Sequence, residues 1–244
     1  RSGSGKSTAL NALEDEGFNC IDNFPAGLLP QLIQSNYEAE IIQDLAVCID
    51  ARNVPADLQL LPERLNALDQ DDLQVQVIFL DALAHTLLQR FSETRRRHPL
   101  THVNQDLRQA IEVELEVLTV VSELADLQID TTNLSGADLV EMIKTRVINK
   151  SANSISLLFR SFAFKNGVPI DSDFVFDVRC LPNPYWQKEL RSLSGIDQPV
   201  RDFLAKQTVA TSLVDDIRGF LETWLAEFEK TNRAYLTVAI GCTG

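Results

Sequence analysis

The chain opens on Arg1-Ser2-Gly3-Ser4-Gly5-Lys6-Ser7-Thr8, and no other stretch restricts its fold as much. Gly5-Lys6-Ser7 forms the second half of the phosphate-binding pattern Gly, four residues, Gly-Lys-Ser/Thr; the first glycine of that pattern falls one position before Arg1. Gly3 and Gly5 can take backbone angles that turn successive N–H groups inward as an anion nest. Lys6 brings a point charge to the β- and γ-phosphates, and the Ser7 hydroxyl suits Mg²⁺. An amphipathic helix over 7–16, with Ala9, Leu10, Ala12 and Leu13 on one side, aims its N-terminus at the same anion. A flexible Ser/Gly linker has no such helix behind it. Loops of this kind follow a strand, so a strand of a few residues is expected ahead of Arg1.

Strand and helix signals then alternate. Short apolar runs at 18–21, 45–49, 75–80 and 126–129 predict strands. Helices are predicted at 26–35, 58–69, 83–93, 105–122 and 136–148, with Gly17 ending the first helix and Ser135 capping the last. Alternation of this kind means a parallel sheet with helices on both faces. Ligands of such sheets sit at the carboxyl ends of the strands. Asp22, Asp50, Arg52, Asn53, Asp81 and Asp130 all follow apolar runs and fall there. Asp81, after Val77-Ile78-Phe79-Leu80, has the place of a Walker-B carboxylate that holds Mg²⁺ directly or through water. Asp50 competes for that role, and a plain helix cap is the other use for Asp81. Arg95, Arg96 and Arg97 close a helix beside His98-Pro99. Arginines at this stage of small P-loop kinases clamp phosphates; a solvated basic helix end is the alternative. His98 and His102 have no cysteine or acidic partner at metal spacing, so no zinc site is expected. Asp69-Gln70-Asp71-Asp72 is expected as a solvated loop.

A polar, aperiodic stretch at 149–153 marks a boundary, giving domains 1–150 and 151–244. Beyond it, strands are predicted at 155–159, 174–179 and 235–240, and helices at 198–206 and 211–229. Leu181-Pro182-Asn183-Pro184-Tyr185-Trp186 is stiffened by its prolines. The last strand runs into Gly241-Cys242-Thr243-Gly244, which has the form of the first half of a strand–Cys–five residues–Arg anion loop. A structural cysteine at a strand end is the competing use. Two glycines in four residues would let N–H groups converge there, with Arg179 as a phosphate fork and Asp177 as acceptor for a sugar hydroxyl or amine.

Composition narrows the classes. A net charge of −13 argues against a general coat for nucleic acid and leaves room for a local basic patch. No apolar run approaches the roughly 20 residues a bilayer requires. Cys20, Cys48, Cys180 and Cys242 are widely spaced with no Cys-x-x-Cys, as expected of reduced thiols in the cytoplasm.

The quoted stretches resemble the RapZ/YvcJ family of bacterial P-loop nucleotide-binding proteins over essentially all 244 residues. The resemblance is carried by 1–7, Ala12-Leu13-Glu14-Asp15, Gly17-Phe18, Asp22-Asn23, 49–53, Phe79-Leu80-Asp81-Ala82, 92–99, 161–169, 176–179, Leu181-Pro182-Asn183-Pro184, Asn232-Arg233 and 235–244. It implies a kinase-like first domain that binds ATP with Mg²⁺ on residues 1–8, a GTP-associated site at Asp50-Ala51-Arg52-Asn53, and weak hydrolysis drawing on Lys6 and Asp81. It implies a second domain whose sugar-phosphate site, for glucosamine-6-phosphate, uses Asp177, Arg179, Cys242, Thr243 and Gly244. The family includes an enterobacterial RNase adapter, which adds a small regulatory RNA, an endoribonuclease and a homo-oligomeric state to the implied partners. The chain departs from that pattern at Ala163, where glycine is usual, at Cys180, and at Tyr185, where the adapter has histidine. Two other functions fit the same loop: a small-molecule kinase accepting phosphate near Asp22-Asn23-Phe24-Pro25, and an RNA-binding adapter with a vestigial nucleotide site. The boundary assignment has a direct test. Limited proteolysis is expected to cut first within 149–153, because linkers carry few contacts; a first cut inside 155–240 would move the boundary.

Overall fold

Every strand pair among the described residues is parallel, as alternating strands and helices require. The computed structural model describes residues 1–39, 43–68, 73–95, 97–101, 106–148, 155–231 and 233–244. The backbone divides into two units, Arg1–Ala152 and Asn153–Gly244. The stretch 149–153, the acidic run 69–72, Arg96 and His102 lie outside the described residues.

In the first unit, β1 (Asn19–Ile21) pairs with β2 (Leu45–Val47), and β3 (Ile78–Asp81) pairs with β4 (Leu127–Asp130). These are two separate two-stranded ladders. Before β1 runs α1 (Lys6–Asp15); between the strands run α2 (Leu29–Glu38), α3 (Pro55–Gln59), α4 (Leu61–Leu68), α5 (Ala84–Thr94), α6 (Leu107–Val117) and α7 (Thr119–Glu123); after β4 comes α8 (Gly136–Ile143). Ser135 caps α8 in a full capping box with Asp138, the arrangement its sequence position predicts. A core of Ala26, Leu29, Leu58, Leu61, Phe79 and Leu118 joins α2, α3, α4 and β3.

Three predicted elements are shorter or broken, each for a local reason. The 58–69 helix is two helices, because Pro62 at the second position of α4 has no N–H to continue the ladder from α3. The 105–122 helix breaks at Leu118, where the Thr119 hydroxyl donates back to the Leu115 carbonyl at 3.0 Å, a contact that bends helices. The 136–148 helix changes after Ile143 to a π-turn over Lys144–Ile148, where the Thr145 hydroxyl bonds the Glu141 carbonyl.

The second unit centres on β7 (Tyr235–Cys242), flanked by β5 (Ser156–Ala163) and β6 (Phe174–Asp177) in the order β5-β7-β6. As the central strand it is apolar on both sides: Leu236, Val238 and Ala239 are fully buried. On β6, Phe174 and Phe176 alternate with exposed Val175 and Asp177. The two rings pack with Leu221 and Phe228 of α10 (Thr208–Lys230), and Phe220 meets both edge-on. The shorter α9 (Gln198–Ala205) precedes α10. One expectation is corrected. The last strand does not stop at Ile240; Gly241 and Cys242 pair with Phe162 and Ala163 of β5, and Gly241 also with Asp177 of β6. Gly241 is there for space rather than as a turn in an anion nest: a Cβ would come 2.4 Å from the Phe164 ring and 2.5 Å from that of Phe162.

Candidate functional site

Residues 1–5 form a loop that leads into the first turn of α1, and its backbone and side chains face different tasks. Gly3 and Gly5 take φ of 80° and 97°, conformations that only glycine enters without strain. Gly5 is doubly required, because a Cβ would come 2.6 Å from Leu139 Cδ2 of α8. Gly5 caps α1, and no side chain bonds the helix N-terminus. The N–H groups of Gly3, Gly5, Lys6 and Ser7 have no protein acceptor among the described residues. The Ser7 hydroxyl is also unpartnered there and exposed. Lys6 Nζ rests on the Arg1 carbonyl at 2.8 Å, and the buried Ser4 hydroxyl donates to the same oxygen at 2.6 Å.

The side chain of Arg1 points into the protein rather than to a ligand. Nη1 donates to Asp81 Oδ1 at 3.1 Å and Nη2 to the Ile111 carbonyl at 2.7 Å, while Nε lies 3.6 Å from Glu114 Oε2. Ser2 donates its backbone N–H to Glu114 Oε1 at 2.9 Å. Burial pushes the Glu114 carboxyl up, but the contacts from His98 and Ser2 outweigh it and hold the group well below the usual carboxylate range. At the end of β3, Asp81 Oδ1 accepts both Arg1 and the Ala82 N–H, leaving Oδ2 without a partner among the described residues.

Arg90 was not singled out by sequence, because an isolated arginine inside a helix carries less signal than the run at 95–97. From α5 its Nη1 reaches the Gly3 carbonyl at 3.1 Å and the Thr131 hydroxyl at 3.0 Å, and its Nη2 the Thr131 carbonyl at 2.6 Å. Thr131 in turn donates its N–H and hydroxyl to the Asp81 carbonyl. The loop, the end of β3 and the residue after β4 are thus held together by one guanidinium. Arg95 and Arg97 are exposed and make no hydrogen bond or ion pair among the described residues; Arg95 ends α5 in a left-handed conformation, φ 52°.

Asp50, Ala51, Arg52 and Asn53 follow β2. Asp50 is buried and accepts from three donors of Arg52: its backbone N–H, Nε, which reaches both carboxylate oxygens, and Nη2 at 2.6 Å. Burial pushes the Asp50 carboxyl up, yet the Arg52 bonds prevail and hold it below its ordinary value of 3.8; Lys6 contributes in the same direction, so this loop lies within the field of the phosphate-loop cation. Cys48 senses Lys6 too, although burial dominates and pushes its thiol up to about 11. Asn53 is spent inside the protein: Oδ1 accepts the Ala26 N–H at 2.6 Å, and Nδ2 donates to the carbonyls of Phe24 and Asp50. It staples the 23–26 loop, where Asn23 has φ 51°, to the end of β2. Ala51 is buried in the core.

The second unit has its own cluster at the carboxyl ends of β6 and β7. Asp177 and Arg179 form a fork, with Nε at 2.9 Å and Nη2 at 2.7 Å. The Arg179 guanidinium stacks on Phe164, 3.8 Å from the ring centroid, and Phe164 packs against Gly241. Asn183 Nδ2 donates to the Thr243 hydroxyl at 3.2 Å. Gly244 has φ 89°, and a Cβ there would lie 3.3 Å from Lys165 Nζ. Cys242 is exposed. The structure therefore gathers Arg179, Thr243 and Gly244 with Lys165, a cation the sequence did not single out, since a lone lysine before Asn166-Gly167 looks like turn chemistry.

Comparison with known proteins gives one answer along the whole chain. Residues 1–151 match the RapZ-like N-terminal domain and residues 155–244 the RapZ C-terminal domain. A nucleotide-binding protein of Pseudomonas putida (strain GB-1) is 55% identical over 100% of this chain and 87% of its own length. A nucleotide-binding protein from the ptsN-ptsO intergenic region of Stutzerimonas stutzeri is 53% identical over 100% of this chain and 86% of its own. One from Pseudomonas fluorescens (strain SBW25) is 52% identical with the same coverage, 100% and 86%.

The Asp50–Arg52 fork has a signature in pH. Because the folded Asp50 carboxyl sits below 3.8, its contribution to stability is complete above that value and is lost as pH falls through the lower folded one. Arg52→Ala leaves a buried carboxylate unpaired. It is expected to cost about 1–2 kcal/mol at pH 7, discounted because Arg52 is half exposed. The gap to wild type should close as pH falls below about 4. Urea unfolding at stepped pH reads it; parallel curves would show that the fork contributes nothing.

Proposed function

The chain belongs to the RapZ-like family, and we propose that its first unit binds a nucleoside triphosphate with Mg²⁺ on residues 1–8. The observation that carries this is the set of unaccepted N–H groups on Gly3, Gly5, Lys6 and Ser7, held in place by two glycines in left-handed conformations. Such groups at a helix N-terminus want an anion. Lys6, resting on the Arg1 carbonyl, has a short path to the β- and γ-phosphates. The donor set fits Mg²⁺ bound with a nucleotide: a free Ser7 hydroxyl and the unpartnered Asp81 Oδ2 are hard oxygen ligands. When bound, the ion neutralises charge on the phosphates. Arg1 and Ala82 hold Asp81 by its other oxygen and so fix its direction. Thr8 follows in the first turn of α1, and Ser4 shapes the loop from inside.

We take ATP and GTP as the nucleotides. At the 50–53 loop Arg52 is the residue available to a second phosphate group, since Asn53 and Ala51 are occupied internally. Hydrolysis is slow on this reading: Lys6 and Asp81 stabilise charge, and Asp50 is committed to Arg52. A small-molecule kinase would need a base near 22–25, where Asp22 is the exposed carboxylate. No helix among the described residues is long and apolar enough to cross a membrane, and the four cysteines are free; a cytoplasmic homo-oligomer is the proposed setting. Lys6→Ala in the full-length protein should weaken MgATP binding at least about tenfold by calorimetry and abolish hydrolysis, with the unfolding midpoint unchanged. Undiminished affinity would refute the assignment.

For the second unit we propose a site for a phosphorylated sugar, glucosamine-6-phosphate by family resemblance, at Arg179, Lys165, Thr243 and Gly244, with Asp177 beside it. The support is that Lys165 Nζ lies beside Gly244, which has φ 89°, and that Arg179 stacks on Phe164, the residue before Lys165. The small regulatory RNA and endoribonuclease follow from the resemblance alone, and at a net charge of −13 an RNA contact needs a local basic patch such as Arg95 and Arg97. Cys242 is the built-in probe, exposed one residue before Thr243. Glucosamine-6-phosphate is expected to slow its alkylation several-fold in the full-length protein, and glucosamine without phosphate is not. Equal rates in all three conditions would dismiss the site.

A further inference from the structure

Glu114 is wholly buried on α6, where an ionised carboxylate is costly unless both oxygens are partnered. Oε1 has the Ser2 N–H of the phosphate loop. Oε2 has two nitrogens near it, Arg1 Nε at 3.6 Å and His98 Nε2 at 3.4 Å, each too far for a good hydrogen bond. All three atoms are sealed from solvent and have no hydrogen-bond partner among the described residues. His98 Nδ1 accepts the Leu100 N–H at 3.2 Å, so in a neutral ring Nε2 is the nitrogen that carries hydrogen and faces Glu114. The His98 carbonyl also takes both the N–H and the hydroxyl of Thr101. One carboxylate thus touches the phosphate loop through Ser2 and Arg1, and touches through His98 the turn that follows the exposed Arg95 and Arg97. A second path runs in parallel. The His98 ring sits 5.1 Å from that of Phe91, and Phe91 Cε2 lies 3.3 Å from where a Gly3 Cβ would be.

We propose that Glu114 is a positioning residue that couples occupancy of the phosphate loop to the order of the 97–101 turn. This rests on the nucleotide reading above. Three buried polar atoms stand a few tenths of an ångström short of satisfying one another. A phosphate drawn into the nest repositions Ser2 and Arg1, and closing the two long contacts satisfies all three atoms at once. His98 moves with Oε2 and takes the Leu100 and Thr101 bonds with it. The gain goes to the occupied state, so nucleotide binding and ordering of the turn favour each other.

The experiment uses the full-length protein and Mg²⁺ with the β,γ-imido analogue of ATP. Backbone hydrogen exchange at Leu100 and Thr101 is followed with and without the analogue, and affinity is measured by calorimetry. Wild type should bind and slow exchange at both amides. Glu114→Gln keeps the shape and an acceptor for Ser2 but loses the charge; it should bind about tenfold more weakly and lose the slowing. His98→Asn should do the same without touching the loop. The double variant should bind no more than about threefold more weakly than either single one, where independent effects would multiply to about a hundredfold. Slowing retained in either variant, or multiplicative losses, would overturn the proposal; should Glu114→Gln fold poorly, the His98→Asn exchange result decides alone. Absence of binding by wild type would remove the nucleotide reading and this inference with it. Binding by wild type with unaltered variants would remove the inference alone.

Discussion

A buried guanidinium, that of Arg1, carries the first unit's loop. It sits between two carboxylates, Asp81 at the end of β3 and Glu114 on α6, and donates to a helix carbonyl as well. A lysine there would bring a single point charge and could not reach three directions at once. Burying these groups is costly in isolation, so their value lies in geometry: the loop must lie where Asp81 and the Ile111 carbonyl are met while Glu114 stays 3.6 Å from the same guanidinium. That frees the loop backbone to face outward. Side chains tie the loop down, and backbone N–H groups remain available, because the glycines at 3 and 5 let the chain turn without a Cβ in the way.

The same economy appears in a smaller device used twice. Asp50 with Arg52, and Asp177 with Arg179, are Asp-x-Arg forks at the carboxyl ends of strands, and in each the arginine also donates its backbone N–H to the aspartate. The two differ in burial. The side chain of Asp50 is 3% exposed and that of Asp177 is 48%. Buried, the fork is rigid and presents an arginine on a fixed base. Exposed, it exchanges partners with water easily, and Arg179 is steadied instead by stacking on Phe164.

Alternation of apolar runs with helical periodicity made the α/β class, the parallel pairing and the places of the strand-end aspartates legible in the sequence. Element ends were less so, since Pro62 removes one ladder bond and Thr119 and Thr145 each add one to a helix carbonyl, changes that no periodicity records. In the site, the motif residues announced themselves by type and spacing, while the residues that hold them did not. Glu114 lies in a helix among other acidic residues and looks solvated; only its burial against Ser2 separates it from Glu112 and Glu116. Arg90 is hidden in the same way. Such residues are defined by what lies across the fold from them, which local pattern does not encode.

The extra length of β7 bears on the second unit in the same sense. A central strand that ended at Ile240 would hand its last polar groups to a loop. Running on through Cys242, it keeps Gly241 and Cys242 in the ladder with β5 and lets Phe162 and Phe164 close over the missing Cβ. The first residues free to meet a ligand are then Thr243, already joined to Asn183, and Gly244, next to Lys165. Phe164 and Lys165 are neighbours in the short turn after β5, so the ring that seals Gly241 and carries Arg179 also places the lysine. One aromatic residue thus fills the space a glycine leaves, carries the Arg179 guanidinium on its face and precedes the lysine that lies beside Gly244.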